Sequence, residues 1–218
     1  MNLKLTQKSI LCTTLFTCTL LFIAACTPNN QTKLSSDKRL PSAYGKIYEQ
    51  TVKDQADDNI VFSLILLDHD EIPELVVYDQ YYENLSIYTI KENKMFCLMD
   101  SMHAAEVTYF EKTGILAKFS RWNGGGDEGG YGWYYYQTDK EQTLTEDSTP
   151  VLYDTYDAVY DDKGEFTGKG VTHYYRNERE IDEKMYQDER KKLGIDDSGV
   201  SCTKDAAAID EVIKLINN

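Results

Sequence analysis

The sequence is poor in the residues that usually reveal a catalytic or metal site. Its three histidines, His69, His103 and His173, are far apart in the chain, so we expect no histidine metal cluster. No Gly-x-Ser-x-Gly nucleophile motif occurs, and residues 164–170, GEFTGKG, are one residue too short for a phosphate-binding P-loop and end without Ser or Thr. The sequence therefore assigns no catalytic residue.

Basic residues are also scarce, because 23 Lys and Arg stand against 37 Asp and Glu and give a formal net charge of −14. Nucleic acid and anionic lipid surfaces attract positive charge, so both are poor partners for this chain. An acidic surface keeps an extracellular domain soluble and also permits cation binding. The composition therefore argues against nucleic-acid binding and leaves soluble extracellular domains and cation-binding proteins.

No apolar run is long enough to span a membrane comfortably. The longest, residues 10–25, is interrupted by threonine and follows a short segment with Lys4 and Lys8 and no acid, which is the pattern of a secretion signal. It ends in Ile-Ala-Ala before Cys26, the arrangement that lipoprotein-processing enzymes recognise. We therefore expect residues 1–25 to be removed as a signal peptide. Cys26 is then expected to carry the acyl chains that anchor the protein to the outer side of the cell membrane.

Removal of residues 1–25 leaves 193 of the 218 residues, which is enough for one domain with a sizeable core. The removed segment carries two lysines and no acid, so the formal charge falls by two, from −14 to −16. Residues 26–40 are polar and predict a flexible tether, and residues 41–218 predict a single domain. Only Cys97 and Cys202 remain in that domain. An external location allows them to form a disulfide, and the apolar neighbours of Cys97 are equally compatible with a buried free thiol.

The hydrophobic pattern predicts an α+β fold. A helix is expected over residues 42–55, where apolar residues recur at helical spacing. Short apolar runs then predict an antiparallel meander of about eight strands, of which residues 60–67 are expected to be buried on both faces. Two helices close the chain, one capped by Asp182 and one starting at Thr203, and we expect both to cover one side of the sheet. The predicted strands lie at 60–67, 75–78, 85–90, 95–99, 107–110, 115–121, 131–138, 151–160 and 171–175.

The most informative motif is LLDHDEIPELVV, residues 66–77, between two predicted strands. It resembles the Asp-x-Asp-x-Asp-Gly-Ile-Pro-Glu-Leu signature of lipoproteins from Gram-positive bacteria that have no established activity. That signature is in turn similar to the calcium loops of EF-hand and integrin-type repeats. Other features shared with that family are the preceding helix, the Gly-rich middle stretch and the Tyr174-Tyr175-x-Asn177 segment before the penultimate helix. The resemblance covers most of the chain that follows the signal.

The loop departs from a calcium site in two places. When it is aligned on Ile-Pro-Glu-Leu, Asp68 and Asp70 fall at the third and fifth loop positions. Leu66 takes the first ligand position, however, and Glu71 replaces the glycine that allows the sharp turn. Two interpretations stay open: a Ca²⁺ site, or an acidic hairpin turn kept for its shape. The ligands of a Ca²⁺ site here would be Asp68, Asp70 and Glu74.

Residues 121–133, RWNGGGDEGGYGW, bring both tryptophans, two adjacent acids and several glycines together. Exposed aromatic rings are a usual platform for stacking on sugars, and glycines allow a partner to approach closely. The stretch predicts either a ligand-binding loop or a mobile loop whose aromatic rings pack on the sheet. Its two acids are not expected to be a catalytic pair, because adjacent residues in an extended segment point to opposite faces. The candidate ligand-binding residues are Trp122, Asp127, Glu128, Tyr131 and Trp133.

Three functions are compatible with these observations. A lipid-anchored, non-catalytic protein would bind a cell-wall glycan or a surface protein through the Gly-rich loop. A secreted hydrolase would use two carboxyl groups, roughly 5 to 10 Å apart, that only the fold brings together. A structural or calcium-responsive envelope protein would depend on the acidic turn at residues 68–74 instead.

The lipid anchor has a direct test in the variant Cys26→Ala. Without the thiol no diacylglycerol can be attached, so the protein should appear in the medium or remain as the uncleaved precursor. Cell fractionation with a radiolabelled fatty acid measures both outcomes. Membrane retention of the variant without any lipid label would contradict the prediction.

Overall fold

The computed structural model describes most of the chain that follows the predicted tether, in the ranges 42–70, 72–103, 107–123 and 129–217. These described residues all belong to one compact unit. The predicted signal peptide, Cys26 and the tether lie outside them. No helix within the described ranges has the length and apolar character needed to cross a membrane.

The described residues form three helices and eleven strands. Every strand pair is antiparallel, so the predicted α+β fold, with its N-terminal helix, antiparallel strands and two C-terminal helices, is confirmed. In chain order the elements are α1 (Ser42–Asp54), β1 (Ile60–Ile65), β2 (Glu74–Asp79), β3 (Asn84–Lys91), β4 (Lys94–His103), β5 (Val107–Phe110), β6 (Ile115–Asn123), β7 (Gly129–Gln137), β8 (Leu152–Tyr160), β9 (Phe166–Arg176), β10 (Arg179–Ile181), α2 (Glu183–Lys192), β11 (Val200–Ser201) and α3 (Ile209–Asn217).

The strands divide into two sheets. Sheet A contains four strands in the order β1-β2-β3-β4, and sheet B contains seven in the order β10-β9-β8-β7-β6-β5-β11. Both are meanders in which neighbours in sequence are neighbours in space, except that β11 returns to pair with β5. Because short turns connect these strands, most strands pair with their neighbours in sequence, and such pairing can be predicted from the sequence.

Sheet A is buried on both faces, as predicted for its first strand. Phe62, Leu75 and Val77 pack against helices α1 and α3 on one side. On the other side, residues such as Ile65 and Ile87 meet sheet B across a second apolar cluster. Each fully buried aliphatic side chain of this kind contributes about 1.5–3 kcal/mol relative to an exposed one.

Helix α2 covers the other face of sheet B. Asp182 caps it as predicted, since its side chain accepts a hydrogen bond from Met185 N at 2.8 Å. Tyr186 is the buried residue of this helix; its ring packs at a tilt against Tyr174, with the centroids 4.7 Å apart, and its hydroxyl donates to the Asp154 carboxylate. The expectation that both closing helices cover one side of one sheet is therefore wrong. Two sheets each need an outer cover, so α3 lies on sheet A and α2 on sheet B.

The third helix starts later than predicted, at Ile209 instead of Thr203. Ala207 is drawn into an extended bridge with Phe62, with hydrogen bonds of 2.9 and 2.8 Å between their backbones. That pairing covers the outer edge of β1. The outer edge of β4 is covered in the same way by a bridge between Met99 and Leu144.

The two cysteines of the domain are free thiols in this structure. Cys202 is buried in the cluster between the sheets, and Cys97 is half-buried, with its Sγ 3.3 Å from Met99 O. Of the two alternatives that the sequence left open, the structure therefore has the unpaired one.

Sheet B extends beyond the part that sheet A covers. Strands β8 and β9 continue as a two-stranded arm in which residues 161–172 are all exposed, including Phe166 and Val171. Strand β7 pairs with β8 only as far as Asp157, and β10 pairs with β9 only from Tyr174. The larger sheet therefore has a region where its inner face, the face directed toward sheet A, lies open.

Candidate functional site

Three carboxylates meet at the turn between β1 and β2. Asp68, Asp70 and Glu74 each offer an oxygen, and these oxygens lie within 4.8 Å of one another. The chain brings them together because Asp68 and Asp70 follow β1 directly and Glu74 is the first residue of β2. These are the three residues predicted from the sequence, and the cluster could hold a metal ion.

A lysine from a distant loop lies against the same carboxylates. The Lys140 ammonium is 3.1 Å from Asp68 Oδ2 and forms a shorter ion pair with Asp70 Oδ2. Its backbone is fixed in turn, since Lys91 Nζ donates to Lys140 O at 2.5 Å. The acidic turn therefore already has one cation, supplied by the protein itself.

The remaining aspartate oxygens hold the turn in shape. Asp68 Oδ1 accepts a hydrogen bond from Asp70 N at 2.9 Å, and Asp70 Oδ1 accepts one from Ile72 N at 2.8 Å. Burial opposes ionisation of Asp68, but hydrogen bonds from Asp70 and Lys140 outweigh it and lower the pKa of that carboxyl. Both interpretations of the turn from the sequence, shape and cation binding, thus have a physical basis here.

Glu74 differs from the two aspartates because its side chain is fully buried, with 0% exposure. Its Oε2 accepts a hydrogen bond from Leu67 N at 2.8 Å, and its Oε1 lies 3.4 Å from Thr89 Oγ1. Burial, with the neighbouring charges of Asp68 and Asp70, raises the pKa of Glu74 to about 8. A side chain this deeply buried has no contact with a dissolved substrate.

The acidic turn also joins the two sheets. Lys112 N donates to Leu66 O at 3.0 Å, and Gly114 N donates to Leu67 O at 2.7 Å, so the β5–β6 turn of sheet B is tied to the end of β1. The Lys140 ion pairs fasten the β7–β8 connection to the same point. The turn is therefore a structural joint whether or not it binds a metal ion.

A second candidate site lies on the uncovered inner face of sheet B. Strand alternation places one set of side chains on this face, next to the half-buried Tyr134 that borders the inter-sheet cluster. We call this surface the open face; it is formed by Trp122, Tyr134, Tyr153, Thr155, His173 and Tyr175.

Three tyrosines form a row across the open face. Directly paired residues of five neighbouring strands run in the order Lys118, Tyr134, Tyr153, Tyr175 and Glu180. The tyrosine rings are stacked, with centroids 5.5 and 4.5 Å apart. Since the middle ring is covered on both faces by its neighbours, the row presents ring edges and hydroxyl groups to solvent. At the usual strand spacing the three tyrosines span about 10 Å, and the five paired residues from Lys118 to Glu180 span about 19 Å.

Trp122 lies on the same face, four residues along β6 from Lys118. A Cβ atom on the paired Gly130 would be 2.5 Å from Trp122 Cζ2 and 2.7 Å from its Cε2, so the indole covers this glycine. Only glycine permits that arrangement. The indole is half-buried and lies against the backbone of the neighbouring strand.

A second line of paired residues, which are small or polar, crosses the open face between Trp122 and the tyrosine row. The last residue of this line is His173. This imidazole lies between two acids, with its Nδ1 2.9 Å from Glu180 Oε1 and its Nε2 3.8 Å from Asp157 Oδ2. Ser120, Gly132 and Thr155 complete the line on the preceding strands. The open face therefore combines aromatic, hydroxyl and carboxylate groups.

One end of the tyrosine row borders an open pocket of about 170 Å³. Lys118 and Glu146 form an ion pair of 2.5 Å at this pocket. Its lining is rich in hydroxyl groups and consists of Lys118, Ser120, Tyr134, Tyr136 and Glu146. Such a lining offers both donors and acceptors to a polar ligand.

The structure separates the residues that the Gly-rich stretch suggested as one contact surface. Trp122 belongs to the open face, whereas Tyr131 and Trp133 lie on the opposite face of sheet B. There Tyr131 stacks on Tyr156 at 4.9 Å, and Trp133 packs on Phe119 at 5.0 Å. The two acids of the same prediction, Asp127 and Glu128, lie outside the described residues. A flat ligand can therefore contact one tryptophan or the other, but not both.

The tyrosine row was not predicted from the sequence. Its members come from three strands, and each is one tyrosine among the 17 in the chain. A usable signal existed in the high density of tyrosines within β7, β8 and β9. Finding which of these tyrosines are neighbours across the strands requires the register, however, which the turns alone did not provide.

The chain was compared with known family models, with curated proteins and with solved structures, and nothing matched in any of the three.

Glu74 makes a testable contribution to the pH dependence of stability. Its pKa rises from the usual 4.5 to about 8 on folding, so the folded protein holds this proton more tightly than the unfolded chain does. The resulting stabilisation is complete below pH 4.5 and is lost as the pH rises toward 8. The free energy of unfolding should fall by up to about 1.4 kcal/mol per pH unit in that window.

Urea unfolding between these pH values measures the slope for wild type and for Glu74→Gln. The amide cannot ionise, so the variant should lose this part of the slope. Glu111→Gln removes an exposed carboxyl from the β5–β6 turn and serves as the control, which should retain the wild-type slope. Parallel slopes for wild type and Glu74→Gln would refute the assignment.

Proposed function

We propose that this chain is the precursor of a lipid-anchored lipoprotein, in the manner of the Gram-positive lipoproteins that its motif resembles. In this proposal the domain faces the outside of the cell and acts by binding, without catalysis. Its ligand is a cell-wall glycan, and its contact surface is the open face of sheet B. The sequence before Cys26 supports the anchor, and the chemistry of the open face supports the ligand.

The observation that carries the glycan proposal is the presence of the Trp122 indole and the tyrosine row on one face of sheet B. Sugars present both apolar C–H faces and many hydroxyl groups, so their sites combine an aromatic surface with hydrogen-bonding side chains. Trp122 offers the aromatic surface. The hydroxyl groups of Tyr153 and Tyr175 offer the hydrogen bonds, and the line of paired residues from Lys118 to Glu180 is long enough for an extended chain.

The geometry favours binding over hydrolysis. A glycosidase needs two carboxyl groups that flank the scissile bond, one as acid and the other as nucleophile or as the base that activates water. In the acidic turn, Glu74 is fully buried and Lys140 lies against the other two carboxylates. On the open face, the carboxylates of Asp157 and Glu180 have the His173 ring between them. In both groups a side chain of the protein already lies against the carboxylates or between them.

Variants of the open face test the proposal. Trp122→Ala removes the stacking surface and should weaken binding about tenfold. Tyr153→Phe removes a single hydroxyl and should weaken it about threefold or more. Affinity electrophoresis through gels that contain solubilised cell-wall glycan measures both changes.

The matched control is Tyr131→Phe, which removes a hydroxyl from a stacked tyrosine on the opposite face of the same sheet. Its migration should equal that of wild type. If wild type is not retarded, or if the control is affected as strongly as Tyr153→Phe, the open face is not a glycan site.

Calcium is the second proposal, and it concerns the acidic turn. The converging oxygens of Asp68, Asp70 and Glu74 favour a hard cation, and Ca²⁺ is the ion suggested by the resemblance to calcium loops. We propose that Ca²⁺ competes there with the Lys140 ammonium. Binding to wild type would then be weak, because the ion must displace a charge that the protein holds in place.

Thermal unfolding of residues 27–218, purified in chelator, tests this competition. Millimolar Ca²⁺ should raise the unfolding temperature of Lys140→Gln more than that of wild type, because ligand binding stabilises the native state. Asp68→Asn with Asp70→Asn should abolish the shift. The control Lys184→Gln makes the same charge change on the exposed surface of α2 and should behave like wild type. Absence of a shift in both wild type and Lys140→Gln would remove calcium from the proposal.

A further inference from the structure

The charges around the open face are unevenly distributed. At the β6 end, Lys118 is paired with Glu146, so the two charges largely cancel. The next basic residue on this side is Lys169, which lies out on the β8–β9 arm, paired with Val159. The middle and far end of the face are therefore distant from these two lysines.

The β8–β10 end of the face is acidic. Asp157 and Glu180 flank His173, and their side chains are 54% and 62% exposed. Each carboxylate has two oxygens, and the contact with the imidazole involves one of them. Glu178, in the turn between β9 and β10, adds a third acid close to Tyr153.

The pKa values of the tyrosine hydroxyls reflect these neighbouring groups. Burial raises the pKa of Tyr134, Tyr153 and Tyr175, and neighbouring tyrosine hydroxyls and carboxylates raise it further. Asp157 acts on the first and third of these tyrosines. The hydroxyl row therefore stays protonated at neutral pH and lies in a negative potential.

We infer that the ligand of the open face is a glycan that carries free amino groups, recognised by Asp157 and Glu180 beside the tyrosine row. This inference rests on the proposed glycan function and adds the class of sugar. Protonated amines are attracted by exposed carboxylates, whereas a neutral N-acetylated sugar gains nothing from them and an anionic glycan is repelled. The net charge of the chain, −14 before processing, acts in the same direction over longer distances.

The two carboxylates suit this task because each lies beside the imidazole and is largely exposed to solvent. Glu180 Oε1 is hydrogen-bonded to His173 Nδ1, so this carboxylate has little side-chain freedom to lose when an ammonium group binds, and Asp157 Oδ2 lies 3.8 Å from the other ring nitrogen. The adjacent hydroxyls of the tyrosine row can accept hydrogen bonds from the same amine or from sugar hydroxyls. A carboxylate and a tyrosine hydroxyl on adjacent strands can thus contact the same ligand.

A pair of matched oligosaccharides tests the inference on the mature lipidated protein in detergent micelles. The probes are the pentamer of glucosamine and the same pentamer fully N-acetylated, in one buffer acidic enough to protonate the free amines. Isothermal titration should give about tenfold tighter binding of the free-amine pentamer, as expected for two exposed charge pairs at the upper end of their range. The double variant Asp157→Asn with Glu180→Gln should bind both pentamers alike.

A control double variant, Asp188→Asn with Asp197→Asn, makes the same charge change at exposed positions away from the open face and should keep the preference. Loss of the preference in this control would overturn the inference, since net charge alone would then explain it. Equal binding of both pentamers by wild type would also overturn it while leaving the glycan function intact. Binding of neither pentamer, together with no retardation by cell-wall glycan, would refute the glycan function itself. Pentalysine that binds as tightly as the free-amine pentamer would show recognition of charge without sugar, and would overturn the inference as well.

Discussion

The apolar contact between sheet A and sheet B is the interaction on which the rest of this structure depends. Neither sheet is stable with a bare apolar face, and the cluster that includes Ile87, Met99 and Leu116 satisfies both at once. Because the sheets differ in size, four strands against seven, this contact covers only part of the larger one. The outer faces then require helices of their own, which explains why α2 and α3 separate. The uncovered remainder of sheet B follows from the same mismatch, so the open face is a consequence of how the core is built.

The acidic turn holds that contact together at one end, and its chemistry reflects a compromise. Glu74 is ionisable yet fully buried, and its hydrogen bond from Leu67 N keeps β1 and β2 aligned where the chain reverses. Asp68 and Asp70 shape the turn with one oxygen each and pair with Lys140 through the other. A loop with the sequence pattern of an ion site is therefore part of the contacts that hold the domain together.

Local features of the fold were predictable from the sequence, and features that depend on distant contacts were not. Hydrophobic periodicity located most strands and helix α1, because the burial of one or both faces of an element determines the spacing of its apolar residues along the chain. The split into two sheets, the extended bridge at Ala207 and the position of Lys140, seventy residues from Asp70, depend on tertiary contacts. The same limit applied to the site. Asp68, Asp70 and Glu74 lie within one short segment and were found, whereas the tyrosine row is assembled from three strands and was missed.

The edges of the sheets have a consequence for molecules that share a surface. Unpaired strand edges invite strands from neighbouring molecules, and this risk rises with the local concentration of the protein. Sheet A avoids this because Ala207 and Leu144 cap its two outer strands. The exposed part of β9 carries other protection: Lys169 places a charge on the strand, and Gly168, with φ of 75°, interrupts its regular geometry beside a register shift at Val159. The arm can therefore project from the domain without acting as a template for edge-to-edge aggregation.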